Sequence, residues 1–250
     1  MGAGAEAVGM SKLIDFYSNN GSLLVDKTIA HIGISALGLA IAIAIALPLG
    51  IFLGHKHAGS FVAINISNVF RALPSLALIA ISLALVGLSI INVEVALIAL
   101  AVPPILTNAF TAVDGIDPDA VEAARGMGMT ERQVLTGIEL PLSWPLIFAG
   151  IRAASVFLIA TAPLAAIAGG GGLGDIILNQ PTYGLAGVIG ATIVVVVLAF
   201  AADGLFSLVQ RFVTPRGLRL EPEMHTILPP TGAEGSSRGE RSAAAAEQRA

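Results

Sequence analysis

Between residues 31 and 53 the chain carries no Asp, Glu, Lys or Arg. Read as a helix rising about 1.5 Å per residue, that run crosses the roughly 30 Å hydrocarbon core of a bilayer. Such a run cannot be one face of a soluble core, because it offers no polar side to water. The rest of the sequence agrees: 55% of its residues are hydrophobic and 12% charged, about half the charged fraction usual in a soluble domain. Lipid tolerates only backbones that satisfy their own hydrogen bonds. With no strand alternation in sight, the fold class is all-α, a polytopic transmembrane helical bundle.

Four further stretches extend the pattern. Residues 61–93 hold Arg71 as their single charge and Pro74 as a breaker. They are too long for one straight crossing and read as a broken or tilted helix. Residues 95–113 are uncharged but contain Pro103 and Pro104, tolerated where neighbouring helices satisfy the freed backbone groups. Residues 140–168, with Pro141, Pro145, Arg152 and Pro163, form a fourth segment, and residues 183–202 a fifth. Five crossings are expected, with room for a sixth. Residues 1–27 lack the order of a cleaved signal peptide, so the first hydrophobic segment reads as an uncleaved anchor. The expected organisation is an external N-terminal segment over 1–27, a membrane domain over 28–212 with a polar loop at 114–141, and a disordered cytoplasmic tail over 213–250.

Orientation follows from Lys and Arg near the span ends. Arg125 and Arg132 lie between the third and fourth spans, and Arg211, Arg216 and Arg219 follow the fifth. The connections around Glu94 and Asp175 contain neither residue type. The 114–141 loop and the C terminus are therefore expected in the cytoplasm; Lys12 and Lys27 pull mildly the other way. A net charge of -4 with no basic face excludes a nucleic-acid partner, and the absence of cysteine excludes disulfides and thiolate metal sites.

The polar loop contains the most specific chemistry. Asp117 suits a helix N-cap, Pro118 the first helical position, and Asp119 and Glu122 the positive end of the helix dipole. Gly126 and Gly128 offer an exit. Thr130 and Gln133 have capping-box spacing, which predicts a second short helix through Val134, Leu135 and Ile138 toward Pro141. Ala123 and Ala124 permit close backbone approach, while Val121, Met127, Val134 and Leu135 supply apolar area. On these grounds alone a docking foot and an ordinary capped loop are equally good readings.

The spacing of Glu122-Ala123-Ala124, of Gly128 six residues later, and of Ile138 and Leu140-Pro141 separates the two. It matches the EAA signature, so the chain resembles the binding-protein-dependent permeases of ABC importers over about residues 28–212. The likeness is closest to osmoprotectant permeases for glycine betaine, choline or carnitine. Arg71-Ala72-Leu73-Pro74-Ser75-Leu76 is similar to their helix break. Ala149-Gly150-Ile151-Arg152, and Ala165-Ala166 through Gly169-Gly170-Gly171-Gly172-Leu173-Gly174-Asp175, are further similarities. The resemblance implies a small type I importer permease in the inner cell membrane, in contact with lipid. It also implies cytoplasmic ATP-binding subunits, an external solute-binding protein and a second permease copy or paralogue. ATP and Mg would bind the partner ATPase, with no cofactor, metal or catalytic residue on this chain. Glu122, Ala123, Ala124, Gly128, Ile138, Leu140 and Pro141 would couple to the ATPase. Arg71, Pro74, Ser75, Arg152 and Thr161 are candidates for the translocation pathway.

Blander readings stand beside these. Arg71 and Arg152 are also placed to snorkel to an interface, and Asp203 to pair with one of them. The glycine-rich run at 169–174 has neither the preceding strand nor the following Lys-Ser of a phosphate loop, and reads as close-packed backbone. Gly184, Gly187 and Gly190 read as a helix-contact stripe. His55 and His57, flanking Lys56, read as an exposed interfacial turn. Asp114, Asp117 and Asp119 lack the remaining spacing of a calcium loop. The competing functions are an amino-acid permease, such as one for methionine, and an ion-coupled secondary transporter, which predicts paired polar residues at mid-membrane.

Overall fold

The structure is a computed structural model, and it describes residues 9–57, 65, 69 and 74–214. Arg71 and the tail beyond Thr214 lie outside the described residues. No strand occurs among those described. The helices are α1 (Met10–Asn19), α2 (Gly21–His55), α3 (Ser75–Val86), α4 (Ile90–Asp114), α5 (Pro118–Gly126), α6 (Glu131–Val134), α7 (Leu140–Thr161), α8 (Gly174–Ile177) and α9 (Gln180–Val213). A π-helical turn, Leu135–Glu139, joins α6 to α7, and a 3-10 segment, Ala162–Ala168, follows α7. Four stretches are long and apolar enough to cross a membrane: Gly21–His55, Ile90–Asp114, Glu131–Ala168 and Gln180–Val213.

The core is organised on α2 and α4. Along α2 the buried positions Gly38, Ala42, Ala46, Gly50 and Gly54 recur every fourth residue, which stacks small side chains in one line and lets another backbone approach. That backbone is α4. A Cβ on Gly50 would lie 2.7 Å from the Ala109 Cβ and 2.9 Å from the Leu106 carbonyl oxygen, and one on Gly54 would lie 2.8 Å from the Val113 Cβ. Gly38 faces Leu97. The contacts advance together along both chains, so α2 and α4 run parallel. The chain between them must therefore return to the opposite end of the bundle. The described part of that return is α3, whose twelve residues span only about 18 Å.

Three boundaries differ from those read in the sequence. The first long helix begins at Gly21 rather than near residue 28, so the proposed division at residue 27 falls inside α2. The stretch read as 61–93 ends at Gly87, whose φ of 80° breaks the helix. Ser89 then caps α4 by accepting from the Asn92 amide, so that α4 begins at Ile90, five residues before the expected start of that span. Finally, the second loop helix does not end at Pro141: α6 closes at Val134, the π-helical turn carries the helical run onward, and Pro141 stands in the first turn of α7.

α7 returns antiparallel to α4, with the Ser143 hydroxyl donating to the Ala112 carbonyl at 2.9 Å. α9 packs on α7, and Gln210 donates to the Pro145 carbonyl at 2.9 Å. At the end of the bundle away from α5, Lys27 pairs with Asp175 at 2.5 Å. There α1 lies against the start of α9: Phe16 fills the space beside Gly187 and Gly190, and the Tyr17 hydroxyl donates to the Gly190 carbonyl at 2.9 Å. Gly184 does not share that role. Its φ of 66° marks a kink at the head of α9.

Candidate functional site

The loop between α4 and α7 is a compact unit. The Asp117 carboxylate accepts from the Asp119 amide at 3.0 Å, and Pro118 opens α5. α5 ends in a paired turn: the Gly128 N–H donates to the Arg125 carbonyl at 2.9 Å and the Met129 N–H to the Ala124 carbonyl at 3.2 Å. This Schellman arrangement requires a left-handed residue just past the helix, and Gly128 supplies it with φ 85°. Thr130 and Gln133 then form a complete capping box at the head of α6. Beneath the turn, Val121, Ala124 and Val134 are buried, with Ile116, Met129 and Ile138 packed around them. Two short helices are thereby held by a small core of their own.

The seven residues of the EAA signature divide between the faces of this unit. Glu122, Ala123 and Gly128 are exposed, next to Met127, which is 76% exposed. Ala124 points inward with Val121 and Val134, so only Ala123 of the alanine pair offers its backbone outward. Ile138 supports the unit from below, and Leu140 and Pro141 begin α7, where Leu140 packs on the core of the bundle. Arg125 pairs with Glu131 through two hydrogen bonds of 3.0 Å. The bond and then the charge of Glu131 hold the Arg125 pKa above its ordinary value.

The structure also ties this loop to the membrane bundle through a residue that sequence reading places on an exposed turn. His55, the last residue of α2, keeps only 9% of its side chain exposed. Its Nδ1 lies 2.6 Å from the carboxylate of Glu139, itself 1% exposed in the π-helical turn, and its Nε2 lies 3.6 Å from Glu131. Glu139, His55, Glu131 and Arg125 thus connect α2 to α5. His57 does sit in an exposed turn, within 3.0 Å of Asp114. Removing one partner of a buried hydrogen bond leaves the other polar group unsatisfied. His55→Leu is therefore expected to cost about 1–3 kcal/mol, read as a lowered melting midpoint of the detergent-solubilised protein. The double variant with Glu139→Leu should recover most of that loss, and an unchanged midpoint in the single variant would show that the pair contributes nothing.

Within the spans, the pathway candidates do not converge on one point. Ser75 and Thr161 meet across a small cavity of about 10 Å³ lined by Ile79, Val93, Leu97 and Leu164. This is about room for one water. Thr161 spends its hydroxyl on the Phe157 carbonyl at 2.7 Å, and Pro74 is the extended, exposed residue before α3. Arg152 stands elsewhere, on the α7–α9 side. Its Nε and Nη2 donate to the two carboxylate oxygens of Asp203 at 2.5 and 2.6 Å. The pair borders an open cleft of about 510 Å³ with Ala149, Ala153, Val156, Phe157 and Ala160. Glu94, which sequence reading leaves in a connection between spans, is buried within α4 beside Gly38, and neither carboxylate oxygen has a hydrogen-bond partner.

Comparison with known proteins decides what this arrangement belongs to. The family described as binding-protein-dependent transport system inner membrane component matches residues 46–215. The chain belongs to this family. Among curated relatives of the permease, the choline transport system permease protein OpuBB of Bacillus subtilis is 37% identical over 220 residues, 86% of this chain and 100% of the relative. The glycine betaine/carnitine/choline transport system permease protein OpuCB of the same species is 37% identical over 84% of this chain and 97% of its own length. Carnitine transport permease protein OpuCD of Listeria monocytogenes is 36% identical over 82% and 93%. Among solved structures, an inward-facing form of the MetNI methionine ABC transporter superposes with a TM-score of 0.68 at 22% identity, covering 79% of this permease and 99% of that chain. That likeness establishes the fold, the small type I importer permease, and nothing about cargo. The permease is accordingly a multi-pass inner-membrane protein of the importer class.

Proposed function

We propose that this permease forms the transmembrane route for a small osmoprotectant such as glycine betaine, choline or carnitine. Its α5–α6 unit would receive the motion of cytoplasmic ATPases that bind ATP and Mg. The observation that carries the substrate class is the 37% identity extending over the whole length of a choline permease. An external solute-binding protein delivers the solute, and a second permease copy or paralogue completes the pathway. No chemistry on this chain is required. The compact core under Val121 and Val134 supports the coupling role, because a foot must move as one body to transmit force.

In this reading the α5 end and the C terminus face the cytoplasm, with α1 and Asp175 outside. The sequence contains no cysteine, so a single introduced thiol reports its side directly. Met127→Cys should react with a membrane-impermeant maleimide only in inverted vesicles, and Asn179→Cys only in intact cells stripped of their outer layers. The reverse pattern would invert the topology.

The substrate reading is tested by uptake in cells lacking this chain. Loss of labelled glycine betaine, choline or carnitine uptake, restored by returning the chain, is expected. Unaltered uptake of all three together with lost methionine uptake would replace the reading with an amino-acid permease.

A further inference from the structure

The Arg152–Asp203 pair is exposed where exposure is expensive. Arg152 lies about 18 Å along α7 from Leu140, and Asp203 about 15 Å along α9 from Val213, at 1.5 Å per residue. Both positions are inside apolar spans. Yet the two side chains retain 36% and 37% of their exposure. Charges at such depth face a bundle interior or a water-filled cavity, because lipid solvates them poorly. The cleft beside the pair lies open on the α7–α9 face: three alanines, Ala149, Ala153 and Ala160, leave room there, and Phe157 stands 43% exposed at its wall.

We infer that Arg152 and Asp203 form a solute-exchange site on the translocation route, at which Arg152 takes the carboxylate of a zwitterionic solute and Asp203 its quaternary ammonium. The inference rests on the osmoprotectant reading and deepens it. A guanidinium presents a planar fork that matches a carboxylate, as its present bidentate bond to Asp203 shows. A quaternary ammonium cannot donate hydrogen bonds; a carboxylate and an aromatic face attract it by charge and cation–π interaction. A zwitterion entering the cleft exchanges one internal pair for two external ones, so neither charge is left alone in the span. A cation without a carboxylate engages only Asp203, and Arg152 stays beside it.

This asymmetry separates a solute contact from a clamp between helices. In vesicles holding the complete transporter, uptake of glycine betaine, which carries a carboxylate, is compared with uptake of choline, which carries none. Arg152→Gln is expected to reduce glycine betaine uptake on the order of tenfold, the equivalent of one lost charge-assisted contact, and choline uptake less than about threefold. Arg152→Lys, which keeps the charge and the fold but loses the fork, should raise KM for glycine betaine alone. Asp203→Asn should depress both solutes. Equal losses for the two solutes in both Arg152 variants, or full recovery by the exchanged double variant Arg152→Asp with Asp203→Arg, would overturn the inference and leave the pair as a clamp. Wild-type vesicles that move neither solute would overturn the osmoprotectant reading itself, a result distinguishable from equal losses against an active wild type.

Discussion

Gly50→Leu is expected to abolish the assembled bundle, whereas Gly33→Leu on the same helix should be tolerated. At Gly50 even a Cβ would stand 2.7 Å from the Ala109 Cβ and 2.9 Å from a backbone oxygen of α4. Neither neighbour is the end of a flexible chain that can swing away. The helices must part, and because Gly38, Ala42, Ala46 and Gly54 share the line, separation at one point loosens contacts along the others. Overpacking commonly costs 1–3 kcal/mol and more where backbone must move, so a loss above roughly 3 kcal/mol is expected. At Gly33 nothing lies within 4 Å of the added carbon. The check is the yield of folded protein by size-exclusion chromatography in mild detergent. Comparable yields for the two variants would contradict close packing of α2 on α4.

Gly128→Asp should leave the fold intact and uncouple transport. The φ of 85° penalises any side chain by about 1–2 kcal/mol, but the space around the glycine is open, with nothing within 4 Å of an added Cβ. The bundle does not depend on this residue. The exposed face formed with Glu122, Ala123 and Met127 does, since a carboxylate there alters both the turn and the charge that an ATPase would meet. Uptake and solute-stimulated ATP hydrolysis are each expected to fall on the order of tenfold, with Gly128→Ala intermediate because it adds strain without charge. Wild-type coupling in Gly128→Asp would remove this turn from the docking surface.

The features legible in the sequence are those whose physics is local. Asp117, Thr130 and Gln133 announce helix starts because their partners lie two or three residues away, and the structure makes those bonds. The apolar runs announce helices for a similar reason. Their packing is less evident. The four-residue rhythm of Gly38, Ala42, Ala46, Gly50 and Gly54 is a readable signal for close helix approach, but it lies in a run so uniformly apolar that the glycines of the last span draw attention first. There Gly187 and Gly190 do meet Phe16, while Gly184 serves a kink. The His55–Glu139 bond joins residues 84 positions apart, and no spacing rule links them. Glu94 shows the converse case. A single carboxylate near a span end reads as a connection, and only the Ser89 cap, which starts α4 early, carries it into the buried interface.

That transport through this chain is driven by ATP hydrolysed on another subunit is tested most directly in vesicles containing the purified permease, a candidate ABC ATPase and a saturating external solute-binding protein. Accumulation of labelled glycine betaine or choline that requires ATP and Mg on the α5 side, and that disappears when the ATPase is left out, is the predicted result. Accumulation sustained by an imposed ion gradient, with the ATPase and ATP both absent, would contradict it.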